Sequence, residues 1–248
     1  MTNEGERSPI PSIKGILFDL DGTLLDTESL SDQALLMAFG DSLPNTIDKI
    51  PWELKQQLLG LRGAEWVPIA LKYGAEKWGV ENAPSPAEIW KNWEDRLNSL
   101  CHQVEKCKGA QALVCALAAK NMPMAIATSS RYAGVNKKRM RHEDIFQHIQ
   151  LIVAGDDPAV KNGKPAPDIY LEAARQLKVD PKECLVFEDA LSGVRAGKAA
   201  GCFVVAIPDS RFTEKEKTVF REEADLVLDD LTKFDGSKFG ISLDLTKT

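Results

Sequence analysis

The stretch Gly15-Ile16-Leu17-Phe18-Asp19-Leu20-Asp21-Gly22-Thr23 places two carboxylates at the end of an apolar run. The run over residues 13–20, interrupted by one Lys-Gly pair, is typical of a strand buried on both faces of a parallel sheet. Alternation along the strand puts Asp19 and Asp21 on one side, but a turn at Gly22 would redirect the second carboxylate. Two buried acids need a cation to offset their charge, and a divalent metal is the simplest candidate. The alternative is a solvated turn that contains two acids.

The composition of the 248 residues, with 44% hydrophobic and 27% charged residues, is that of an ordinary globular protein. A net charge of -6 argues against nucleic acid or an anionic membrane as a partner. No apolar run approaches the length of a membrane span, and residues 1–12 lack the apolar region of a signal peptide. The five cysteines show no pairing pattern, which indicates reduced thiols. We therefore expect a monomeric cytoplasmic protein whose residues 1–12 form an N-terminal tail.

Residues 28–105 contain helical patterns and no pattern of a buried strand. We predict helices over 28–39, 52–59, 65–73 and 85–100. The last of them begins at Ser85-Pro86-Ala87-Glu88, a capping box with proline at the first helical position. All five tryptophans of the chain lie in this segment: Trp52, Trp66, Trp78, Trp90 and Trp93. We interpret them as the core of a small helical domain rather than as a surface on which a ligand stacks.

After residue 110, short apolar runs alternate with helical patterns. The predicted strands are 123–127, 151–154, 184–187, 203–207 and 225–228, and the predicted helices are 111–120, 168–178 and 192–200. Such alternation predicts an α/β fold, a doubly wound, Rossmann-like parallel sheet with right-handed crossovers. The helical block is then an insertion after the first strand. We predict a core made of 13–27 and 106–248 and an inserted α-helical cap made of 28–105.

Polar side chains follow several of these strands, at the edge of the sheet where ligands bind in parallel folds. The clusters are Asp19 with Asp21, Thr128-Ser129-Ser130-Arg131, Lys164 within Gly163-Lys164-Pro165, and Glu188-Asp189. Taken singly, each has another explanation, such as a helix cap, a surface lysine or an acid pair at a helix N-terminus. Together they suit phosphoryl transfer, because acids bind Mg2+, hydroxyl and N–H groups bind phosphate oxygens, and a lysine offsets the remaining charge. A carboxylate is also a known nucleophile toward phosphorus.

These clusters resemble the four motifs of the haloacid dehalogenase-like hydrolases, and the match extends from Lys14 to about Asp230. The matching segments are 19–27, 127–130, 163–165 and 187–189. The helical block resembles the small α-helical cap of that family. The resemblance implies that Asp19 is the nucleophile and that Asp21 acts as general acid and then as general base.

The resemblance also implies the ligands of phosphate and metal. Thr128 and the Ser129 backbone would bind phosphate, and Lys164 would bridge phosphate and nucleophile. The Mg2+ ligands would be side chains of Asp19 and Asp189 and the backbone carbonyl of Asp21, with Glu188 in support. Two arginines are further candidates for binding the substrate, although each is equally explained as a solvated loop residue: Arg62 and Arg131.

The loops resemble most the subgroup that contains pseudouridine-5'-phosphatase, and sugar-phosphate and glycerol-phosphate phosphatases share much of this pattern. Beta-phosphoglucomutase relatives commonly carry a histidine where this chain has Ser31, and dehalogenases lack the acid found at Asp21. We therefore expect a Mg2+-dependent phosphomonoester hydrolase acting on a small metabolite, such as pseudouridine 5'-phosphate or a sugar phosphate. The alternatives are a beta-phosphoglucomutase-like phosphotransferase and a non-catalytic binding protein on the same fold.

Overall fold

A six-stranded parallel sheet forms the centre of the computed structural model, which describes residues 12–243. The strands are β1 (Gly15–Phe18), β4 (Met124–Ala127), β5 (Leu151–Val153), β6 (Cys184–Glu188), β7 (Phe203–Ala206) and β8 (Leu226–Val227). Their order across the sheet is β5-β4-β1-β6-β7-β8, so β1 lies between β4 and β6. The later strands of the sheet lie on both sides of β1, which confirms the predicted doubly wound α/β fold. The tail predicted over 1–12 lies, except for residue 12, outside the described residues.

Helices occupy both faces of this sheet and the long segment after β1. They are α1 (Glu28–Phe39), α2 (Trp52–Leu58), α3 (Gly63–Lys77), α4 (Pro86–Leu100), α5 (Ala110–Ala118), α6 (Tyr132–Arg139), α7 (Glu143–Phe146), α8 (Asp168–Leu177), α9 (Leu191–Ala199) and α10 (Lys217–Glu223). Within residues 12–243, no helix has the length and apolarity needed to cross a bilayer.

The central strands are buried because both of their faces are covered by apolar side chains. In β1, Ile16 and Phe18 pack into one hydrophobic cluster, which includes Leu113 of α5. Leu17 points to the other face and packs into a second cluster, which includes Ala173 of α8. This two-sided burial explains why the strand has a continuous apolar sequence instead of an alternating one.

Helices α1 to α4 share a hydrophobic cluster of their own. Trp66 and Trp78 are buried in it, and Trp90 and Trp93 pack against it, as the sequence analysis predicted for core tryptophans. Trp52 differs, because its ring packs edge-on against Phe212, which follows β7. The division into a core of 13–27 and 106–248 and a cap of 28–105 remains a prediction.

The chain passes into and out of the helical block through a short antiparallel ribbon that the sequence analysis did not predict. Its strands are β2 (Leu25–Asp26) and β3 (Glu105–Lys106), paired Leu25 to Lys106 and Asp26 to Glu105. Strands of two residues are too short to show a period in the sequence.

Helix α6 was also missed, and its sequence explains why. Two residues of the helix are buried, the apolar Val135 and the charged Lys138. A helix that packs through one valine and one lysine has no apolar periodicity to detect.

Candidate active site

Lys164 lies at the centre of the site, where the carboxyl ends of β1, β4 and β6 meet. Its side chain is 1% exposed, and its ammonium donates hydrogen bonds to Asp19 Oδ1 and Glu188 Oε1, each at 2.6 Å. It also donates to the backbone oxygen of Ala127 at 3.2 Å. The Lys164 ammonium therefore links the loop before α8 to residues at the ends of three strands.

Glu188 has both of its carboxylate oxygens occupied. The hydroxyl of Tyr170 donates to Oε1 at 2.8 Å, next to Lys164 on the same oxygen. The backbone N–H of Ala190 donates to Oε2 at 3.0 Å. These bonds hold the Glu188 side chain in place beside Asp19, as expected of a residue that supports other ligands.

Three buried carboxylates form an acidic cluster, in which one oxygen of each of Asp19, Glu188 and Asp189 lies within 4.8 Å of the others. Asp189 comes this close because Gly22, at φ 89°, has no side chain: a Cβ at Gly22 would stand 2.3 Å from Asp189 Oδ2. The hydroxyl of Thr23 is a hydrogen-bond donor to Asp189, at 3.3 Å from Oδ1.

The electrostatics of this cluster fit a divalent cation. Burial raises the pKa of Asp19 to about 8, against the lowering effect of Lys164. Burial and the neighbouring Glu188 and Asp19 charges raise the pKa of Asp189 well above its ordinary value. Three carboxylates facing one ammonium carry an excess of negative charge, and carboxylate oxygens are the donors that Mg2+ prefers.

Asp21 is turned away from this cluster. Its Oδ2 accepts hydrogen bonds from Ser130 Oγ at 2.6 Å and from Thr128 Oγ1 at 3.4 Å. Its Oδ1 forms an ion pair with the ammonium of Lys138. Although burial opposes it, the Lys138 charge and the hydrogen bonds from Lys138 and Ser130 lower the pKa of Asp21. The redirection at Gly22 that the sequence suggested is thus present.

Above these acids lies a cavity of about 120 Å³ between the sheet edge and the helical block. Asp19, Asp21 and the Thr128-Ser129-Ser130 segment line it on one side. Its other walls include Trp66, Trp90, Trp93, Glu94, Asn98 and Ser31. Three of the five tryptophans therefore border the cavity as well as the helical core, a position that the sequence analysis did not assign to them.

The turn between α2 and α3 closes one end of the cavity. The hydroxyl of Ser129 donates to the backbone oxygen of Gly60 at 3.0 Å, and Ser192 Oγ lies 3.4 Å from the oxygen of Leu59. Gly60 has φ 72°, and a Cβ there would stand 2.5 Å from Ser192 Oγ. A glycine is required at this point because the turn rests directly on the residues that follow β4 and β6.

The two predicted arginines lie at the mouth of the cavity. Arg62 begins α3 and donates to the backbone oxygen of Asn162 at 3.5 Å, beside the loop that carries Lys164. Arg131 is 51% exposed, with its guanidinium 3.7 Å from Glu94 and 3.5 Å from Asp156. Both line the cavity, and their contact with a substrate remains a prediction.

A charged network that the sequence analysis missed forms another wall. The buried ammonium of Lys55 lies 2.5 Å from Glu28 Oε2 and 2.6 Å from Asp32 Oδ1. Arg211, after β7, reaches Asp32 at 3.6 Å and lies over the Trp52 ring at 4.5 Å from its centroid. These residues are far apart in sequence and belong to no recognisable motif, so only the fold brings them together.

Comparison with known proteins establishes the family. A model described as haloacid dehalogenase-like hydrolase matches residues 13–201. The chain belongs to the haloacid dehalogenase-like hydrolases. It is 36% identical over 235 residues to (DL)-glycerol-3-phosphatase 2 of Arabidopsis thaliana, with 93% of this chain and 92% of the relative covered. It is also 36% identical over 235 residues to the probable pseudouridine-5'-phosphatase of Drosophila melanogaster, with 91% and 93% covered.

The fold agrees with this assignment. The crystal structure of CbbY from Rhodobacter sphaeroides in complex with phosphate superposes with a TM-score of 0.74 at 27% identity, covering 92% of this chain and all of that one. The predicted family and its α/β fold are confirmed, as is an enzyme of the phosphatase type, since the relatives above are named as phosphatases. The individual roles predicted for the site residues remain predictions.

The acidic cluster predicts how Mg2+ changes thermal stability. Mg2+ should raise the Tm of the parent protein, and the rise should grow between about pH 6 and pH 8, because the cation competes with the proton that Asp19 retains up to about pH 8. Asp189→Asn should raise the Tm without Mg2+, since it removes a carboxyl group whose pKa is raised by burial and neighbouring charges and which therefore costs stability at neutral pH, and should abolish the response to Mg2+. Differential scanning calorimetry measures both, with the exposed Asp48→Asn as control. An equal Mg2+ response in parent and Asp189→Asn would contradict the assignment.

Proposed function

We propose that this chain is a Mg2+-dependent phosphomonoester hydrolase that forms an aspartyl-phosphate on Asp19 and then hydrolyses it. The observation that carries the proposal is the buried Lys164 ammonium, 2.6 Å from Oδ1 of Asp19, a residue that lines a cavity bordered by the helical block. The family assignment and relatives named as phosphatases support it.

Asp19 is placed for nucleophilic attack on phosphorus. Lys164 binds its Oδ1, which leaves Oδ2 as the oxygen that forms the new bond to phosphorus while the bond to the leaving oxygen breaks. A carboxylate and a phosphate dianion repel each other, and Lys164 offsets part of this repulsion. Asp19 and Asp189, with Glu188 in support, would hold Mg2+ together with the proposed Asp21 backbone carbonyl, and the ion would supply the remaining positive charge.

The phosphate is bound by groups that follow β4. Thr128 and Ser129 line the cavity together with Asp19, and the Lys164 ammonium donates to the backbone oxygen of Ala127, the residue before Thr128. The Thr128 hydroxyl, the Ser129 backbone N–H and the Lys164 ammonium are the proposed donors. These donors would bind the non-bridging phosphate oxygens and gain strength as charge develops on them.

Asp21 is the proposed general acid and base. In the first step it protonates the leaving oxygen, and in the second it takes a proton from the water that attacks the aspartyl-phosphate. Against the effect of burial, the Lys138 ion pair lowers the pKa of Asp21, whereas a dianionic substrate beside it would raise that pKa and favour uptake of the proton that the first step needs.

The cavity walls support a leaving group with a ring and hydroxyl groups. Trp66, Trp90 and Trp93 supply flat apolar surface, and Glu94 and Asn98 supply polar atoms for hydroxyls. We propose ribosyl or sugar phosphates as the substrate class, with pseudouridine 5'-phosphate among the best.

Ser31 favours hydrolysis over the mutase alternative. It borders the cavity at the position where beta-phosphoglucomutase relatives commonly carry a histidine. A serine hydroxyl offers no titratable group to assist a sugar phosphate in taking back the phosphoryl group.

The same proposal extends to the binding partner, the oligomeric state and the cellular location of the protein. Partner and substrate are the same small phosphomonoester, and we keep a monomeric cytoplasmic enzyme divided into the core and cap given above. All five cysteines are free thiols, which agrees with a reducing compartment.

Replacing the nucleophile tests the mechanism. Asp19→Asn should lower kcat for phosphate release by at least ~10³, because the attacking charge and a metal ligand are lost together. Steady-state kinetics and a Tm measurement check this against Asp48→Asn, an exposed aspartate that should behave as the parent. Near-parental turnover by folded Asp19→Asn would overturn the mechanism.

Replacing the acid/base tests the role of Asp21. Asp21→Asn should lower kcat for glycerol 3-phosphate by roughly 10²–10⁴, but less for p-nitrophenyl phosphate, whose leaving group needs little protonation. Mg2+ should still raise the Tm of this variant, since the proposed contact is through the backbone. Equal losses with both substrates would count against the assignment.

A substrate panel tests the specificity. We expect phosphate release with the highest kcat/KM for pseudouridine 5'-phosphate or another ribosyl or sugar phosphate, because unpaired polar groups in a closed pocket reject poorly matched substrates. The comparison includes UMP, glycerol phosphates, hexose phosphates and phosphoglycolate. A clear preference for a two- or three-carbon phosphate would overturn the proposed substrate and leave the phosphatase. Conversion of glucose 1-phosphate to glucose 6-phosphate faster than phosphate release would overturn both.

A further inference from the structure

Lys138 is a buried lysine at the active site that neither the motifs nor the proposed reaction uses. It lies on α6 and is 2% exposed. Its ammonium forms an ion pair with Asp21 Oδ1 and donates a hydrogen bond to Ser130 Oγ at 3.0 Å. Ser130 Oγ in turn donates to Asp21 Oδ2 at 2.6 Å. The three side chains therefore form a closed triangle around the Asp21 carboxylate.

The burial of the Lys138 ammonium costs free energy, which suggests that the triangle has a function. Burying an ammonium costs several kcal/mol, which an ion pair offsets only when the geometry is good. On the same helix, the neighbouring Lys137 is exposed, as is usual for lysine. Lys138, Asp21 and Ser130 all border the cavity, which makes the triangle part of the reaction space.

The triangle determines where the Asp21 carboxylate points. Both of its oxygens are held from the α6 side, one by Lys138 and one by Ser130. Asp19, two residues earlier, is held from the opposite side by Lys164. Two ammonium groups thus separate two neighbouring carboxylates that would otherwise compete for the same cation.

We propose that Lys138 is a positioning residue for Asp21, holding its carboxylate on the leaving-group side of the cavity and away from the metal ligands. This inference rests on the proposed function, because it assigns Lys138 to the acid/base step of that reaction. Lys138 acts through Asp21, so its loss impairs proton transfer to the leaving oxygen and leaves attack by Asp19 intact.

A double-mutant cycle tests this role. Lys138→Met, Asp21→Asn and the double variant are compared for kcat and KM with glycerol 3-phosphate and p-nitrophenyl phosphate in the presence of Mg2+. Lys138→Met should lower kcat for glycerol 3-phosphate by about 10- to 100-fold, a typical cost of a misplaced catalytic group, with a smaller loss for p-nitrophenyl phosphate and little change in KM. In the Asp21→Asn background, Lys138→Met should cause no further loss, since residues that act as a unit are not additive.

Two further variants control for folding. Lys137→Met, on the exposed side of the same helix, should keep parental kinetics. Ser130→Ala removes the other bond to Asp21 without leaving a buried charge unpaired, so it reports on the triangle even if Lys138→Met is unstable. It should show the same dependence on the leaving group with a smaller loss. Tm values accompany each rate.

The outcomes separate this inference from the proposed function. Losses that multiply in the double variant, or equal losses with both substrates, would overturn the positioning role while the phosphatase stands. A rise in KM without a fall in kcat would also overturn it, since it would place Lys138 in direct contact with the substrate. No phosphate release by the parent protein would overturn the proposed function itself.

Discussion

The ion pair between Lys164 and the two carboxylates of Asp19 and Glu188 is the interaction on which the rest of the site depends. Removing a charged partner from a buried pair leaves the others unpaired, at a cost of about 3–5 kcal/mol. The pair forms only if β1 and β6 end at the same level and the loop before α8 folds back over them. The ion pair therefore depends on both the register of the sheet and the fold of the loop. The buried apolar strands fix the positions of the residues that hold the ammonium.

Two glycines allow close contacts that complete the site around the ion pair. Gly22 leaves room for the Asp189 carboxylate, and Gly60 lets the turn of the helical block rest on Ser192 and Ser129. The resulting site is small and its acidic groups are buried and close together, which strengthens the electrostatic interactions among them. The same crowding should reduce the contribution of the site to stability when no cation is bound.

Two buried lysines form ion pairs with two different acids, which are separated by one residue in the sequence. Lys164 belongs to the loop before α8 and faces Asp19, while Lys138 belongs to α6 and faces Asp21. The helical block then supplies the aromatic and polar walls from a part of the chain that contributes nothing to the sheet. In the proposed function, the strand ends carry the chemistry and the helices select the substrate.

The amino-acid sequence alone determined the family, the parallel sheet and the residues at the strand ends. Buried parallel strands have continuous apolar runs, and short motifs such as 19–27 and 187–189 keep their spacing along the chain. Only the tertiary structure decided the ion pair between Lys138 and Asp21, the Lys55 and Arg211 network and the three tryptophans that border the cavity. These residues lie in helices and loops far apart in sequence, and a lysine on a helix without apolar periodicity looks like any solvated lysine. Lys138 contacts Ser130, 8 residues away along the chain, and Asp21, 117 residues away, and a contact over such a distance as the second leaves no local pattern to detect.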